Sequence, residues 1–275
     1  MFGISRQAFY QQQKREQIRL TELQQVRDLV VTERRLMPRV GTRKLHFLLK
    51  DQFRTDGIKI GRDALFSFLK SENLLVRRRK NYTKTTWSKH WLHKHPNLLK
   101  ELNPQRPEQV WVSDITYVPT QKGNSYLSLV TDAYSRKIVG YHLSEDMKTE
   151  NVAKALLMAI KHRKTKLPLI HHSDRGLQYC AAEYQQLLNN GNITPSMTDG
   201  YDCYQNAVAE RINGILKDEF LIQTYTPEQL YKVVEQSIKL YNSYRPHLSL
   251  KYKTPNFIHE KSLAEQTTRD HKNIL

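Results

Sequence analysis

The chain has 275 residues with a formal charge of +17, and no apolar run in it reaches the ~20 residues that a membrane-spanning helix needs. Its two cysteines, Cys180 and Cys203, are far apart and lack a CxxC partner, which excludes a disulfide framework and a cysteine-rich zinc module. The first ten residues lack the apolar core of a signal peptide, so we expect a cytoplasmic protein with no membrane partner.

The first 100 residues carry most of the positive charge. They hold 23 Lys and Arg against 8 Asp and Glu, whereas the remaining 175 residues hold 21 and 19. A basic half joined to a nearly neutral half is typical of a nucleic-acid-binding region attached to a domain with another task. The alternative is a solvated basic surface that only aids solubility.

An N-terminal helical segment is predicted over residues 1–36. Its start, 3–10, resembles the second helix of a helix-turn-helix with a serine cap, although a frayed terminal helix fits equally well. Apolar residues at helical spacing from Ile18 to Val30 predict a longer helix after it, which Pro38 interrupts.

A small helical module is predicted over residues 37–80. Two apolar clusters at helical spacing lie on either side of a turn at Asp56-Gly57. A basic run follows, made of Arg77, Arg78, Arg79 and Lys80. Two short helices and a basic run suit a helix-turn-helix-like unit whose side chains neutralise DNA phosphates.

Residues 81–107 are interpreted as a linker. They are polar and contain His90, His93 and His95 among tryptophans and lysines. A zinc site is the lesser alternative, because no matching cysteine or carboxylate pair accompanies these histidines. Prolines at 104 and 107 mark the end of the linker.

Strands dominate the pattern from residue 108. Three Val-, Ile- and Tyr-rich runs joined by short turns predict an antiparallel meander, and they are VWVSDITY, SYLSLVTDAY and RKIVGYHL. Helices and strands then alternate, with strands at 168–173 and 193–197. Thr226-Pro227 with Gln229 predicts a capping box that opens a last helix.

This order of elements predicts the fold class. It indicates an α/β protein whose mixed, ribonuclease-H-like sheet over 108–250 is preceded by the small all-helical region. Residues 251–275 are interpreted as a C-terminal tail.

Three acidic residues lie on different elements of the α/β domain. Asp114 and Asp174 are on predicted strands with 59 residues between them, and Glu210 is on a predicted helix after a further 35. If the two strands are neighbours, the aspartates meet at one edge of the sheet. Like charges at close range repel unless a cation holds them, and a pair of Mg²⁺ or Mn²⁺ ions ~3.5–4 Å apart suits carboxylate ligands. Each acid taken alone is more simply a surface carboxylate.

The predicted helix that carries Glu210 has a polar face. Asn206, Glu210, Asn213 and Lys217 are spaced four, three and four residues apart, which places them on one side of an α-helix. We expect this side to lie along a phosphate backbone, and a solvated polar face is the alternative. Arg211 and Arg175 are further candidates for phosphate contacts, although Arg175 could instead pair with Asp174.

Five motifs in this order resemble the OrfB-type transposases of bacterial insertion sequences, which belong to the retroviral-integrase (DDE) superfamily. The motifs are WVSDITY, DAYSR, HHSDRG, NAVAERINGILK and YNSYRPHLSLKYKTP. The resemblance implies that Asp114, Asp174 and Glu210 are the catalytic and metal-binding triad, with two Mg²⁺ or Mn²⁺ ions, and that Lys217 contacts the element's terminal DNA. It also implies hydrolysis at the element ends, followed by attack of the freed 3′-OH on another DNA strand.

The resemblance implies partners as well. These are double-stranded DNA of the element ends and target, in a bacterial nucleoid, and at least one further copy of the chain, because two ends must be paired. An OrfA-type upstream partner or fusion is expected, since the chain starts in what resembles the middle of a helix-turn-helix. Two alternatives are a ribonuclease-H-like nuclease without strand transfer and a DNA-binding regulator of transposition with an inert core.

Overall fold

A computed structural model describes residues 5–77, 91–199, 206–221 and 223–272, without the side chains of 267–272. The chain forms two compact units, Met1–Arg79 and Lys80–Leu275. No helix in these described ranges combines the length and the hydropathy needed to cross a bilayer.

The described part of the first unit, residues 5–77, contains three helices, which are α1 (Arg6–Leu36), α2 (Thr42–Thr55) and α3 (Arg62–Ser71). The predicted serine cap is confirmed, because the Ser5 hydroxyl accepts a hydrogen bond from the Ala8 amide at 3.2 Å. The prediction of a separate short helix over 3–10 is wrong, since α1 runs without a break. Its Gln, Lys, Arg and Leu residues are good helix formers, and no Gly or Pro divides them.

All three helices contribute to the core of the first unit. Their buried apolar side chains include Val26, Val30, Leu45, Leu49, Phe53, Leu65 and Leu69. The predicted turn after α2 is present. Gly57 has φ +71°, a conformation that costs glycine little, and it allows the Ile58 amide to bond the Phe53 carbonyl at 2.8 Å. Ile58 thereby enters the core.

The second unit is built on a five-stranded sheet. Its strands are β1 (Val110–Thr120), β2 (Gly123–Asp132), β3 (Ile138–Ser144), β4 (Leu169–Ser173) and β5 (Ile193–Met197), in the order β3-β2-β1-β4-β5. The predicted antiparallel meander is confirmed in β1 to β3. The pairs β1–β4 and β4–β5 are parallel, so the sheet is mixed as predicted.

Helices cover both faces of this sheet. They are α4 (Thr149–His162), α5 (Leu177–Cys180), α6 (Ala182–Asn190), α7 (Ala207–Ile215), α8 (Pro227–Ser243) and α9 (Pro255–Lys272). Alternation along β1 sends Trp111 into one apolar cluster with residues of α4 and α6. Val112 points to the opposite face and packs with Ala209 of α7. The sheet therefore has two cores.

The predicted capping box is also confirmed. The Thr226 hydroxyl accepts from the Gln229 amide at 3.3 Å, and the Gln229 side chain accepts from the Thr226 amide at 3.2 Å. The predicted tail, in contrast, contains α9. Thr254-Pro255 repeats the Thr-Pro pattern that opens α8, and the Thr254 hydroxyl accepts from an amide of the first turn at 3.3 Å.

Part of the predicted linker packs on the second unit. The Pro96 carbonyl accepts from the Met197 amide at 3.3 Å, and the Leu98 amide donates to the Ser196 hydroxyl at 2.9 Å. These bonds fix the chain beside β5, an edge strand, which would otherwise offer unpaired backbone groups. Trp91, in the same segment, is 91% exposed. Cys203 and the predicted linker residue His90 lie outside the described residues.

Candidate active site

Asp114 lies on β1, and Asp174 comes directly after the end of β4, the parallel neighbour of β1. Val112 of β1 pairs with His172 of β4, and each aspartate comes two residues later. Strand alternation therefore places both carboxyl groups at the same end of the sheet. Both line one pocket of about 100 Å³, together with Tyr179 of α5.

The Asp114 carboxylate is held by two N–H donors. Its Oδ1 accepts from the Ile115 amide at 2.9 Å, and its Oδ2 accepts from the Asn213 side chain at 2.7 Å. The pKa of Asp114 is raised to about 7, mainly by burial, next by the charge of Asp174 and to a smaller extent by Glu210. The two hydrogen bonds oppose this rise. Ionising the Asp114 carboxyl group is therefore less favourable in the folded protein than in water.

Asp174 is fixed by the turn that follows β4. Its Oδ1 accepts a hydrogen bond from the Gly176 amide at 3.0 Å. A Cβ at Gly176 would lie 3.0 Å from this oxygen, so the glycine of HHSDRG keeps the carboxylate in place.

Glu210 is exposed in the first turn of α7 and lies close enough to interact electrostatically with the aspartates. Burial raises the pKa of Glu210, and so does the charge of Asp174. Within the described ranges, no three His, Cys, Asp or Glu side chains converge closely enough to hold a metal ion. The donor chemistry of the two aspartates fits a divalent cation.

Two amides attach α7 to β1. Asn206 is buried, and its side chain donates to the Ser113 carbonyl at 3.0 Å. Asn213 is buried as well and holds Asp114. We expected both amides on an exposed, DNA-facing side, and that placement is wrong because the sheet occupies this face of the helix. The DNA contact of Asn206 stays a prediction.

Lys217 lies where the helical geometry changes. After α7 the chain continues as a π-helix over Leu216–Phe220, a geometry that is frequent at functional sites. The Lys217 ammonium donates to the Thr116 hydroxyl of β1 at 3.3 Å. Burial lowers the pKa of Lys217, whereas the charges of Asp218 and Asp114 raise it. The ammonium is thus next to the aspartate pocket.

The arginines predicted to bind DNA occupy different surroundings. Arg211 is exposed on α7, and Arg175 donates from Nε to the Thr198 carbonyl at 2.6 Å. Arg77 is exposed after α3, and its carbonyl accepts from the Arg39 guanidinium. The rest of the basic run, Arg78, Arg79 and Lys80, lies outside the described residues.

Sequence reasoning missed a buried ion pair next to Lys217. Arg245 is 2% exposed and donates two hydrogen bonds of 2.7 Å to the Glu219 carboxylate. It also contacts the His247 ring at 3.1 Å. The pair ties the π-helix to the chain after α8. The sequence signal for this pair was Arg245 itself, which lies between Tyr244 and a proline in the motif YNSYRPHLSLKYKTP. That motif was used only for the family resemblance.

Comparison with known proteins finds related family models and related sequences. Two family models, both described as integrase core domain, match residues 104–203 and 191–255. A 31 kDa protein of insertion element IS600 from Shigella sonnei is 35% identical over 274 residues, which are 95% of this chain and 97% of that protein. Transposase InsF for insertion sequence IS3A from Escherichia coli is 30% identical over 78% of this chain and 76% of its own length.

Among solved structures, the HTLV-2 integrase catalytic core domain in complex with magnesium superposes with a TM-score of 0.46 and 20% identity, covering 57% of this chain and 99% of its own. The identity and coverage of the insertion-element relatives decide the family. The chain belongs to the insertion-sequence transposases of the retroviral-integrase superfamily, and it is a DDE-type polynucleotidyl transferase.

Proposed function

We propose that Asp114, Asp174 and Glu210 bind divalent cations, two Mg²⁺ or Mn²⁺ ions per site, and that this one site cuts the element ends and joins their 3′-OH groups to target DNA. The observation that carries the proposal is the pair of aspartates in one pocket, with the pKa of Asp114 raised to about 7. Carboxylates that repel each other gain most from a cation between them.

The chain's own residues would fix the carboxylates for this task. The amides of Ile115 and Gly176 and the Asn213 side chain orient the two aspartates, and none of these donors has to move. A bound divalent cation supplies Lewis acidity at a phosphate oxygen and lowers the pKa of the attacking hydroxyl. One site serves both steps because only the nucleophile differs, first water and then the 3′-OH.

We propose that the basic first unit and the run Arg77, Arg78, Arg79 and Lys80 bind the terminal repeats. Lys217, Arg211, Arg175 and Asn206 form the second proposed set of DNA contacts, near the carboxylates. The exposure of Arg211 supports its place in this set. The hydrogen bond from the Lys217 ammonium to the Thr116 hydroxyl is 3.3 Å long. A DNA phosphate would form a shorter and stronger bond with this ammonium and can replace Thr116 as its partner. Asn206 can contact DNA only if its side chain gives up the hydrogen bond to the Ser113 carbonyl.

The active assembly is proposed to be at least a dimer on DNA, because two element ends have to be held together for joining. An OrfA-type upstream product is proposed as a further partner or fusion, and the bacterial nucleoid is the proposed site of action. The relatives named after insertion elements support this setting.

A strand-transfer assay tests the proposed site. Labelled terminal-repeat DNA and a target plasmid are incubated in Mg²⁺ with the original chain and with Asp114→Asn, Asp174→Asn and Glu210→Gln. Asp146→Asn is the matched control, since this acid lies on the turn before α4 and bonds Asn151. We expect the three site variants to lose cutting and joining together and the control to keep both.

Each other outcome has a definite meaning. Cutting without joining by the original chain would indicate a nuclease, and binding without either would indicate a regulator. Full activity in any of the three site variants would contradict the role given to that carboxylate.

The salt dependence of binding tests the basic run. Replacing Arg77, Arg78, Arg79 and Lys80 with alanine should reduce the slope of log K against log salt concentration by about 3–4, because each phosphate contact contributes about 0.9. An unchanged slope would remove the run from the DNA interface.

A further inference from the structure

Tyr179 is buried next to both aspartates of the active site. It belongs to the short helix α5, five residues after Asp174, and is 2% exposed. Tyr179 lines the same pocket of about 100 Å³ as Asp114 and Asp174. Burial raises the pKa of the Tyr179 hydroxyl, and the neighbouring Tyr184 and the charges of the two aspartates raise it too. The hydroxyl therefore stays protonated.

The Tyr179 hydroxyl is buried and has no hydrogen-bond partner among the residues that the structure describes. Burying a hydroxyl without a partner is unfavourable, and native proteins rarely leave one in that state. Replacing this tyrosine with phenylalanine would remove the cost and keep the ring. An oxygen kept here at such a cost indicates a partner that is not part of the described chain.

Tyr184 shows that the same core can satisfy a tyrosine. It is 1% exposed, and its ring lies 5.3 Å from the Tyr179 ring at an angle of 85°. Its hydroxyl is 3.1 Å from Nε2 of His171, which also contacts the Ser113 hydroxyl at 2.7 Å. The two tyrosines share one environment. The hydroxyl of Tyr184 has a protein partner, whereas Tyr179 lines the pocket of the aspartates.

We infer that the Tyr179 hydroxyl forms a hydrogen bond with an oxygen that binds between Asp114 and Asp174. This oxygen belongs either to water on a divalent cation or to a DNA phosphate. A phenol hydroxyl accepts a hydrogen bond from the first and donates one to the second. The pocket has room for such a ligand, since one water takes about 30 Å³ of liquid volume. The inference rests on the proposed metal site and adds a fourth side chain to it.

The test compares Tyr179→Phe with Tyr184→Phe, the matched control. Mn²⁺ affinity is measured by electron paramagnetic resonance on the DNA-free protein, and affinity for terminal-repeat duplex is measured in Mg²⁺. We expect Tyr179→Phe to weaken one of the two by about tenfold, the upper range for one hydrogen bond. Weaker Mn²⁺ binding without DNA identifies water on the cation as the source of the oxygen. Weaker DNA binding with Mn²⁺ affinity unchanged identifies the phosphate.

The thermal midpoint of the metal-free protein provides a second readout. Tyr184→Phe should lower it because the bond to His171 is lost, whereas Tyr179→Phe should leave it unchanged or raise it. A midpoint that falls as far in Tyr179→Phe as in Tyr184→Phe, or a variant that fails to fold, overturns the inference by showing a partner within the protein.

Unchanged Mn²⁺ and DNA affinities in Tyr179→Phe also overturn the inference. If Asp174→Asn is impaired in the same measurements, the metal site stands and only the role of Tyr179 fails. If Asp174→Asn binds Mn²⁺ as well as the original chain does, the metal site is refuted and the inference with it.

Discussion

Asp114→Asn is expected to stabilise the metal-free protein while it abolishes catalysis. The pKa of Asp114 is about 7 in the fold, against its ordinary value of 3.8. Between these two values the folded state holds a proton that the unfolded state has lost. The stability contributed at this position is therefore lost as the pH rises from about 4 to 7.

The size of the effect follows from this shift and from the hydrogen bonds. At about 1.36 kcal/mol per pKa unit, the full shift corresponds to about 4 kcal/mol above pH 7. Asparagine has one acceptor oxygen and cannot serve both Ile115 and Asn213, which costs about 1 kcal/mol. The side chain of Asp114 is only partly buried, so water reduces the electrostatic part. We expect a net gain of about 2 kcal/mol at pH 8.

Thermal unfolding in EDTA between pH 4 and pH 8 provides the assay. The variant should unfold about 4–8 °C above the original chain at pH 8 and close to it at pH 4. Asp146→Asn is the control, and it should change the thermal midpoint at pH 8 in the opposite direction. The reason is that the Lys148 amide and the Asn151 side chain lower the pKa of Asp146. A gain that does not change with pH, or no gain at pH 8, would refute the reasoning.

Three further substitutions test other parts of the structure. Gly140→Ala should lower the free energy of unfolding by at least about 2 kcal/mol in urea titration, because its Cβ would overlap the Ala155 carbonyl oxygen and force β3 away from α4. Arg245→Met should cost about 3–5 kcal/mol because it removes the two hydrogen bonds that Arg245 donates to the Glu219 carboxylate, and adding Glu219→Gln should recover much of this cost. Strictly additive effects would argue against the ion pair. Lys217→Ala should reduce the salt slope of terminal-repeat binding by about 0.9, and an unchanged slope would exclude a phosphate contact.

The sheet could be predicted because its signals are local. Alternating apolar residues define β1 to β3. The shared position of the two aspartates at one end of the sheet follows from the parallel register of β1 and β4. The Thr226 capping box is a local signal of the same kind, and the Thr-Pro pattern at Thr254-Pro255 is a second local signal, which predicts the start of α9.

The remaining features depend on tertiary contacts that no spacing rule contains. Helical periodicity put Asn206 and Asn213 on a polar face, but it could not show that β1 covers that face. The π-helix that carries Lys217 is likewise tied to the chain after α8 by the Arg245 ion pair. Within the described residues the Glu210 side chain does not converge with the two aspartates, and helical spacing could not predict its position relative to them.

Anomalous diffraction from Mn²⁺ in crystals of the chain with terminal-repeat DNA tests the central claim most directly. We predict Mn²⁺ peaks coordinated by carboxylate oxygens of Asp114, Asp174 and Glu210, at distances close to the ~2.1 Å typical of Mg²⁺, with Glu210 closer to the aspartates than in the DNA-free chain. Mn²⁺ peaks away from the two aspartates, or a Glu210 that stays remote from the ion on bound DNA, would contradict the account.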